Sequence, residues 1–393
     1  MQSVVILSAQ RTAIGSFLGS LSSFSPAELG TFAAKSAIAL AKVDADAIAH
    51  SVFGHIITTS AADAYLAREI ALRSGLSVSS AAMNVNRLCG SSVQAVISAM
   101  QMLQLGDAQL ALAGGAEVMS KGAYLLPNVR QGLRAGHSTS TDLTLGILTD
   151  PFGSGHMGLT AERIAKQFAL SRQELDEFSL NSQRKAAAAM QDGRFAKQIV
   201  TVDAPKGREF FKFNTDEHVK TDTTIDQLAK LRPAFDKDGI VTAGNSSGLN
   251  DGAAALVLAT EQFATAHGLK PLVKILDYSF GGVDPAVMGL GPIPAVTKLL
   301  EKTGLKIQDI DVIESNEAFA AQALAVSKTL GFSDEQVNPN GGAIALGHPV
   351  GATGAILLTK AIYELERMGK RLALVTMCIG GGQGIAMLIE RPN

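Results

Sequence analysis

The stretch Asn86-Arg87-Leu88-Cys89-Gly90-Ser91-Ser92 decides how this chain is read. It holds one of the two cysteines in 393 residues, and an apolar run follows: Val93, Ala95, Val96, Ile97, Ala99, Met100, Met102, Leu103 and Leu105, closed by Gly106-Asp107. That spacing predicts a buried helix with Ser91 or Ser92 as its N-cap and Gly106 as its stop. Cys89 then stands at or just ahead of a helix N-terminus, where unpaired N–H groups and the helix dipole favour a thiolate. Taken alone, a cysteine in such a place is equally a small apolar packing residue.

Outward from this turn, helices alternate with short apolar strands. Val4-Val5-Ile6-Leu7-Ser8 reads as a first strand, and a helix follows over 25–41 with Pro26 at its first position. Strands at 51–56, 82–85 and 110–113 complete an α/β pattern with covered sheets. Residues 119–248 differ in texture, with more Gly, Ser, Thr, Asp and Lys. One amphipathic helix is expected there over 171–190, opened by the capping box Ser171-Arg172-Gln173-Glu174, and the rest reads mainly as loops. After the strand at 254–259 the last third repeats the first. A helix begins near Pro294, Lys306-Ile307-Gln308-Asp309-Ile310 leads to a strand, and a glycine-rich turn enters a helix at His348-Pro349-Val350-Gly351. The expectation is a duplicated α/β unit.

Bulk properties exclude several classes. Hydrophobic residues make up 47% and charged residues 18%, which suits a well-buried globular chain. A net charge of −2 gives no footprint for nucleic acid or an anionic membrane, and no apolar run approaches a membrane span. Two distant cysteines, no basic leader and a C-terminal Glu390-Arg391-Pro392-Asn393 that matches no address lead to an expected cytoplasmic location with free thiols.

Four polar groups stand at the ends of these elements: Cys89, Asn316 after the strand ending at Glu314, His348, and Cys378 before Gly380-Gly381-Gly382. A histidine near a cysteine can serve as its base, and a second cysteine near glycine N–H groups can be a base beside an oxyanion hole. Two cysteines and a histidine without paired spacing fall short of a metal site. The glycine run follows a strand without the G-x-G-x-x-G context, which excludes a dinucleotide fingerprint.

Asn86-Arg87-Leu88-Cys89-Gly90-Ser91, Asn316-Glu317-Ala318-Phe319-Ala320-Ala321, Gly341-Gly342-Ala343-Ile344-Ala345-Leu346-Gly347-His348-Pro349 and Cys378-Ile379-Gly380-Gly381-Gly382 resemble, in this order, the signatures of thiolases. The resemblance spans essentially the whole chain and is nearest to bacterial acetyl-CoA acetyltransferases and short-chain β-ketothiolases. It implies the thiolase fold: two duplicated αβαβα halves (1–118 with 249–270, and 271–393) and an inserted loop domain over 119–248. It implies ping-pong acyl transfer, joining two acetyl-CoA to acetoacetyl-CoA or cleaving a short 3-ketoacyl-CoA. Cys89 would carry the acyl group, His348 would activate it, Cys378 would move the α-proton, and Asn316 would hold a water. The N–H groups of Cys89 and Gly380 would form an oxyanion hole. Coenzyme A would lie on the insertion, with Lys220 near its ADP phosphates and Ser247 at the pantetheine. His156, Met157, Phe235, Ala243, Met288, Ala318 and Phe319 would line the pantetheine and acyl pocket. Lysine at 220, where relatives often carry arginine, lacks the bidentate fork. The glycines of Asp150-Pro151-Phe152-Gly153-Ser154-Gly155 would leave room for a longer acyl chain. No metal or cofactor is implied, since CoA thioesters are substrates. A homotetramer, a dimer of dimers touching through residues 120–140, is implied. The alternatives are a broader β-ketothiolase (3-ketovaleryl-CoA, 3-ketoadipyl-CoA or β-oxidation substrates), an HMG-CoA-type condensing enzyme, and a silent CoA-binding homologue. The Cys378 motif argues against the second.

Overall fold

A computed structural model describes residues 2–133 and 135–392. Residue 134, within the expected subunit contact, and the terminal Asn393 lie outside the described residues. The strands that matter here are β1 (Val4–Thr12), β2 (His50–Gly54), β3 (Ala81–Val85), β4 (Leu110–Val118), β5 (Asn250–Thr260), β6 (Val273–Gly282), β7 (Val312–Ser315), β8 (Leu372–Ile379) and β9 (Gln383–Glu390). The main helices are α1 (Pro26–Ala41), α2 (Leu66–Arg73), α3 (Ser91–Leu105), α4 (Met157–Gln167), α5 (Arg172–Gln191), α6 (Pro292–Thr303), α7 (Ala320–Leu330) and α8 (Thr353–Met368).

The strands form one path in the order β7-β8-β9-β6-β1-β5-β4-β2-β3. Its two ends carry the same pattern. In the first half β1 is antiparallel to β5, β5 to β4, and β4 runs parallel to β2, which is parallel to β3. In the second, β6 is antiparallel to β9, β9 to β8, and β8 runs parallel to β7, which bridges in parallel to Val337. The halves join through a narrow seam, where Val5 and Ile6 of β1 pair with Lys274 and Val273 of β6.

Each half supplies one helix, α3 or α8, to a shared central layer. Both pack with Val4 and Ile6 of β1, Leu256 of β5 and Val375, Ile385 and Met387 of the second half in one buried cluster. Helices α1 and α2 cover the outer face of the first half, and α6 covers that of the second. The result is a five-layer α-β-α-β-α stack, with β1, β4, β5, β7 and β8 buried along their whole length, β6 half-buried and the β3 edge largely exposed. Close approach of the turn before α8 to strand β4 needs glycine, since a Cβ at Gly115 would fall 2.2 Å from the Gly351 carbonyl oxygen.

Local chemistry sets the boundaries. Ser25 and Glu28 form the capping box of α1, with Pro26 at the first position, and Ser171 and Glu174 do the same for α5. The central stretch differs from expectation: the N-cap of α3 is Gly90, not a serine. Ser91 instead braces the preceding turn, its Oγ accepting from Arg87 N at 2.9 Å and donating to Leu88 O at 2.6 Å. Ser92 Oγ accepts from Ala355 N at 2.9 Å and so ties α3 to α8. Strand β8 runs on through Cys378, which therefore lies inside a strand, and β9 follows it. The segment between β4 and β5 is less loop-like than its composition: it holds α4 and a hairpin pairing Val202–Lys206 with Glu209–Phe213.

Candidate active site

The turn Asn86–Gly90 is built to present Cys89. Asn86 Oδ1 accepts from Leu88 N at 3.0 Å, the Ser91 hydroxyl binds both Arg87 and Leu88, and Leu88 itself adopts φ 45°. A left-handed leucine is a strained backbone, held here by three local hydrogen bonds. Cys89 follows, half-buried, with Gly380 N–H directed at its sulfur. Gly380 opens the turn between β8 and β9, where Gly381 (φ 78°) and Gly382 (φ 82°) are left-handed.

The other groups come from the second half. Asn316 directly follows β7, its N–H bonded to Thr376 O at 3.0 Å. Its Nδ2 lies 3.4 Å from His348 Nε2, and its Oδ1 is buried without a protein partner among the described residues. His348 Nδ1 lies 2.6 Å from Thr353 Oγ1, and that hydroxyl donates onward to Pro349 O at 3.0 Å. With its one proton committed there, the hydroxyl accepts from Nδ1–H, so the network assigns the neutral tautomer with a bare Nε2. Asn250 Oδ1 fixes the turn by accepting from His348 N at 2.9 Å.

Burial governs the titration here. It holds His348 down to about 4, so the imidazole is neutral and available as a base. It pushes the Cys89 thiol up to about 11, against the pull of the Gly380 N–H. This runs against the resting thiolate expected at a helix terminus: α3 begins with the uncharged cap Gly90, and desolvation favours the neutral thiol. Cys378 is raised too, first by burial and then by the neighbouring Cys89.

A cavity of about 720 Å³ opens above these groups. His156, Lys220, Phe235, Ala243, Ser247, Phe319 and His348 line it. His156 stacks on Phe235 at 4.7 Å, and Phe235 meets Phe319 edge-on at 5.9 Å. Met157, Met288, Ala318 and Cys378 are not in that lining but pack behind it in one cluster with Phe319. Cys89 is not in that lining either; it packs against the cluster that holds Met119 and Val350, both of which line the cavity. Lys220 is exposed at the rim, and its N–H is held by Gln183 Oε1 at 2.9 Å.

Sequence reasoning missed Thr353, Asn250, Gln183 and His218. Thr353 is the first residue of α8, five residues beyond His348. His218 stands two residues before Lys220 and lines the same cavity. Burial first, then the charge of Lys220, hold it down to about 4. An unfolded chain takes up that proton near pH 6.5 while the folded one refuses it until about 4, so this contribution to stability is lost as pH falls through that window. His218→Gln should accordingly flatten the decline of the thermal midpoint between pH 6.5 and 4, read by calorimetry; an unchanged slope would refute this assignment.

Comparison with known proteins adds the family. Residues 4–262 match the family described as "Thiolase, N-terminal domain", and residues 269–391 match "Thiolase, C-terminal domain". The chain is 52% identical to the β-ketothiolase BktB of Cupriavidus necator, covering 99% of both chains. It is 49% identical to the acetyl-CoA acetyltransferase of Escherichia coli strain K12, over 100% of both. Human mitochondrial 3-ketoacyl-CoA thiolase, solved in complex with CoA, superposes with a TM-score of 0.96 at 39% identity, covering 100% of this chain and 98% of that one.

Proposed function

The chain belongs to the thiolase family, and from that premise we propose how its residues divide the work of a short-chain acyltransferase. In the condensing direction, His348 Nε2 takes the Cys89 proton as the thiol attacks acetyl-CoA. The C–S bond to CoA breaks, the CoA sulfur recovers the proton, and acetyl-Cys89 remains. Cys378, its own proton passed to His348, then acts as a thiolate and removes the α-proton of a second acetyl-CoA. The enolate oxygen is held by protonated His348 and by a water on Asn316, whose buried Oδ1 lacks a protein partner. The enolate carbon attacks acetyl-Cys89, whose carbonyl oxygen is received by the N–H groups of Cys89 and Gly380. Cys89 leaves, and acetoacetyl-CoA is released.

The observation that carries this reading is the convergence of groups from the second half on one sulfur of the first. Gly380 N–H and Cys378 adjoin Cys89, and the neutral His348 presents a bare Nε2 bonded to Asn316. Two oxyanions form on the path, and two separate sets of donors meet them. Acyl exchange between CoA and Cys89 is thioester for thioester, so the intermediate is neither trap nor barrier. No metal or cofactor enters these steps.

Lys220 at the rim suits the ADP phosphates of coenzyme A as a single charge, and Ser247 and the His156–Phe235 stack suit the pantetheine arm. Residues 119–248 form the unit that carries these contacts, between two halves comprising 1–118 with 249–270 and 271–393. The edge strand β3 has a partner on one side only and is largely exposed, which fits pairing with a second copy. Exposed Tyr124, Leu125, Leu126, Val129 and Leu133 fit a further contact, giving a tetramer. A cytoplasmic location agrees with the free thiols; among the described residues no helix is long and apolar enough to cross a membrane.

Acyl length rests on the loop at 150–155. Asp150 caps it by accepting from Phe152 N and Ser154 N, and the Phe152 ring lies 3.4 Å from where a Gly381 side chain would start. The testing experiment is thiolysis of acetoacetyl-CoA, 3-ketovaleryl-CoA and 3-ketohexanoyl-CoA with free CoA. A marked four-carbon preference means an acetoacetyl-CoA thiolase. Comparable rates on five and six carbons mean a broader β-ketothiolase, and no turnover of any of them rejects the reading.

A further inference from the structure

The internal duplication repeats the active site as well as the fold. Gly54 ends β2 opposite Gly115 of β4, as Ser315 ends β7 opposite Thr376 of β8. One residue past the first pair stands His55, and one past the second stands Asn316. Two residues past Gly115 comes Glu117, paired with Gly252; two past Thr376 comes Cys378, paired with Gly384. Cys89 lies two residues before α3, and Gly351 lies two before α8. The counterparts of Cys89, Asn316 and Cys378 are therefore Gly351, His55 and Glu117.

This second location is filled by charge. Glu117 is fully buried; its Oε2 accepts from Gly351 N at 2.9 Å and Ile56 N at 3.2 Å, and its Oε1 accepts from Ile57 N at 3.1 Å. His55 Nδ1 is 3.1 Å from the same carboxylate, and its Nε2 is 3.4 Å from Asp63, which Thr59 and Ser60 hold by N–H and hydroxyl. A Cβ at Gly351 would sit 2.4 Å from Glu117 Oε2, so the contact admits glycine alone. Among the described residues no thiol stands there to match Cys89.

We propose that the Asp63–His55–Glu117 cluster is a positioning device for the reaction, locking the turn from His348 to Gly351 of one half onto the His55–Ile57 turn of the other. His348 lies three residues before the locked Gly351, Val350 of that turn packs with Ile56, Ile57 and Cys89, and the base therefore faces the nucleophile at a spacing fixed by Glu117. Bonds from backbone N–H groups to a buried carboxylate are short, directional and about twice as strong as neutral ones. Fixing register between elements is the best-attested use of such buried charge.

This inference rests on the roles given above to His348 and Cys89. Its test is Glu117→Gln in the full chain, which keeps volume but turns an acceptor into a donor facing N–H groups. The expected result, for protein shown to be folded by calorimetry, is a fall in thiolysis kcat of about tenfold to a hundredfold with KM within about threefold. His55→Gln leaves the three N–H bonds to Glu117 in place and should lower kcat by about threefold or more; it decides the matter if Glu117→Gln is not recovered folded. A lowered thermal midpoint with wild-type kcat in the folded variants overturns the proposal, because the cluster then serves stability alone. If wild-type protein shows no Cys89-dependent thiolysis, the functional reading fails separately. The cluster is then judged on the rate at which iodoacetamide alkylates Cys89, where equal rates in wild type and variants overturn it.

Discussion

Cys89→Ala should abolish both condensation and thiolysis, lowering kcat by roughly 10⁴-fold to 10⁶-fold, the range expected when a nucleophile that acts as a unit with its base is removed. The fold should survive. Cys89 is half-buried, its neighbours Leu88 and Ser91 are fixed by bonds that do not involve the sulfur, and alanine keeps the Cβ. The variant should therefore unfold within a few degrees of wild type, since a small truncation at the site's edge removes little packing. The measurement is coupled: thiolysis of acetoacetyl-CoA, and detection of an acetylated protein by mass spectrometry after exposure to acetyl-CoA. Residual turnover above one part in about a thousand, or an acetyl adduct on a residue other than 89, would mean that another group carries the acyl chain.

Cys378→Ala should separate the two halves of the reaction. Abstraction of a proton from carbon needs a strong base, and Cys378 is suited to that task because burial and the adjoining Cys89 raise its thiol well above the usual range. Condensation and thiolysis should fall by about 10²-fold to 10⁴-fold. Exchange of labelled CoA into acetyl-CoA, which asks only for Cys89, His348 and the oxyanion donors, should stay within about tenfold of wild type. Collapse of both would show that Cys378 supports acylation or the integrity of β8 rather than the carbon acid step. Its position inside a strand that pairs with β9 makes that control necessary.

Much of this arrangement could be read from residue order. Cys89 before an apolar helix, the paired approaches at Pro26 and Pro294, and the glycine-flanked His348 all proved to lie where their neighbours implied. The errors have physical causes. The reach of strand β8 through Cys378 to Ile379 is not legible in the sequence because a strand buried on both faces shows no alternation, so only the glycine run marks its end. Helix α4 went unseen because its buried stripe consists of Met157, Gly158, Thr160, Ala161, Ile164 and Ala165, mostly small residues, and its cap is the Nδ1 of His156 rather than a serine or aspartate. The hairpin at 202–213 carries Pro205 and exposed aromatic residues, signals that ordinarily argue against a strand. Within the site, what no local pattern reveals is the long-range pairing: Asn250 on His348, Gln183 on Lys220, and Glu117 on Gly351 join residues far apart in the chain.

The division of the site between two halves joined by a narrow seam also has a consequence in time. A ribosome makes Cys89 and its turn before Asn316, His348, Cys378 and Gly380, which arrive in that order, the last two as part of the β8–β9 hairpin itself. Until that hairpin pairs with β6, the thiol lacks the Gly380 N–H and its neighbour Cys378. The nascent chain thus holds a cysteine that cannot yet enter acyl transfer, and competence waits on the docking of the second half.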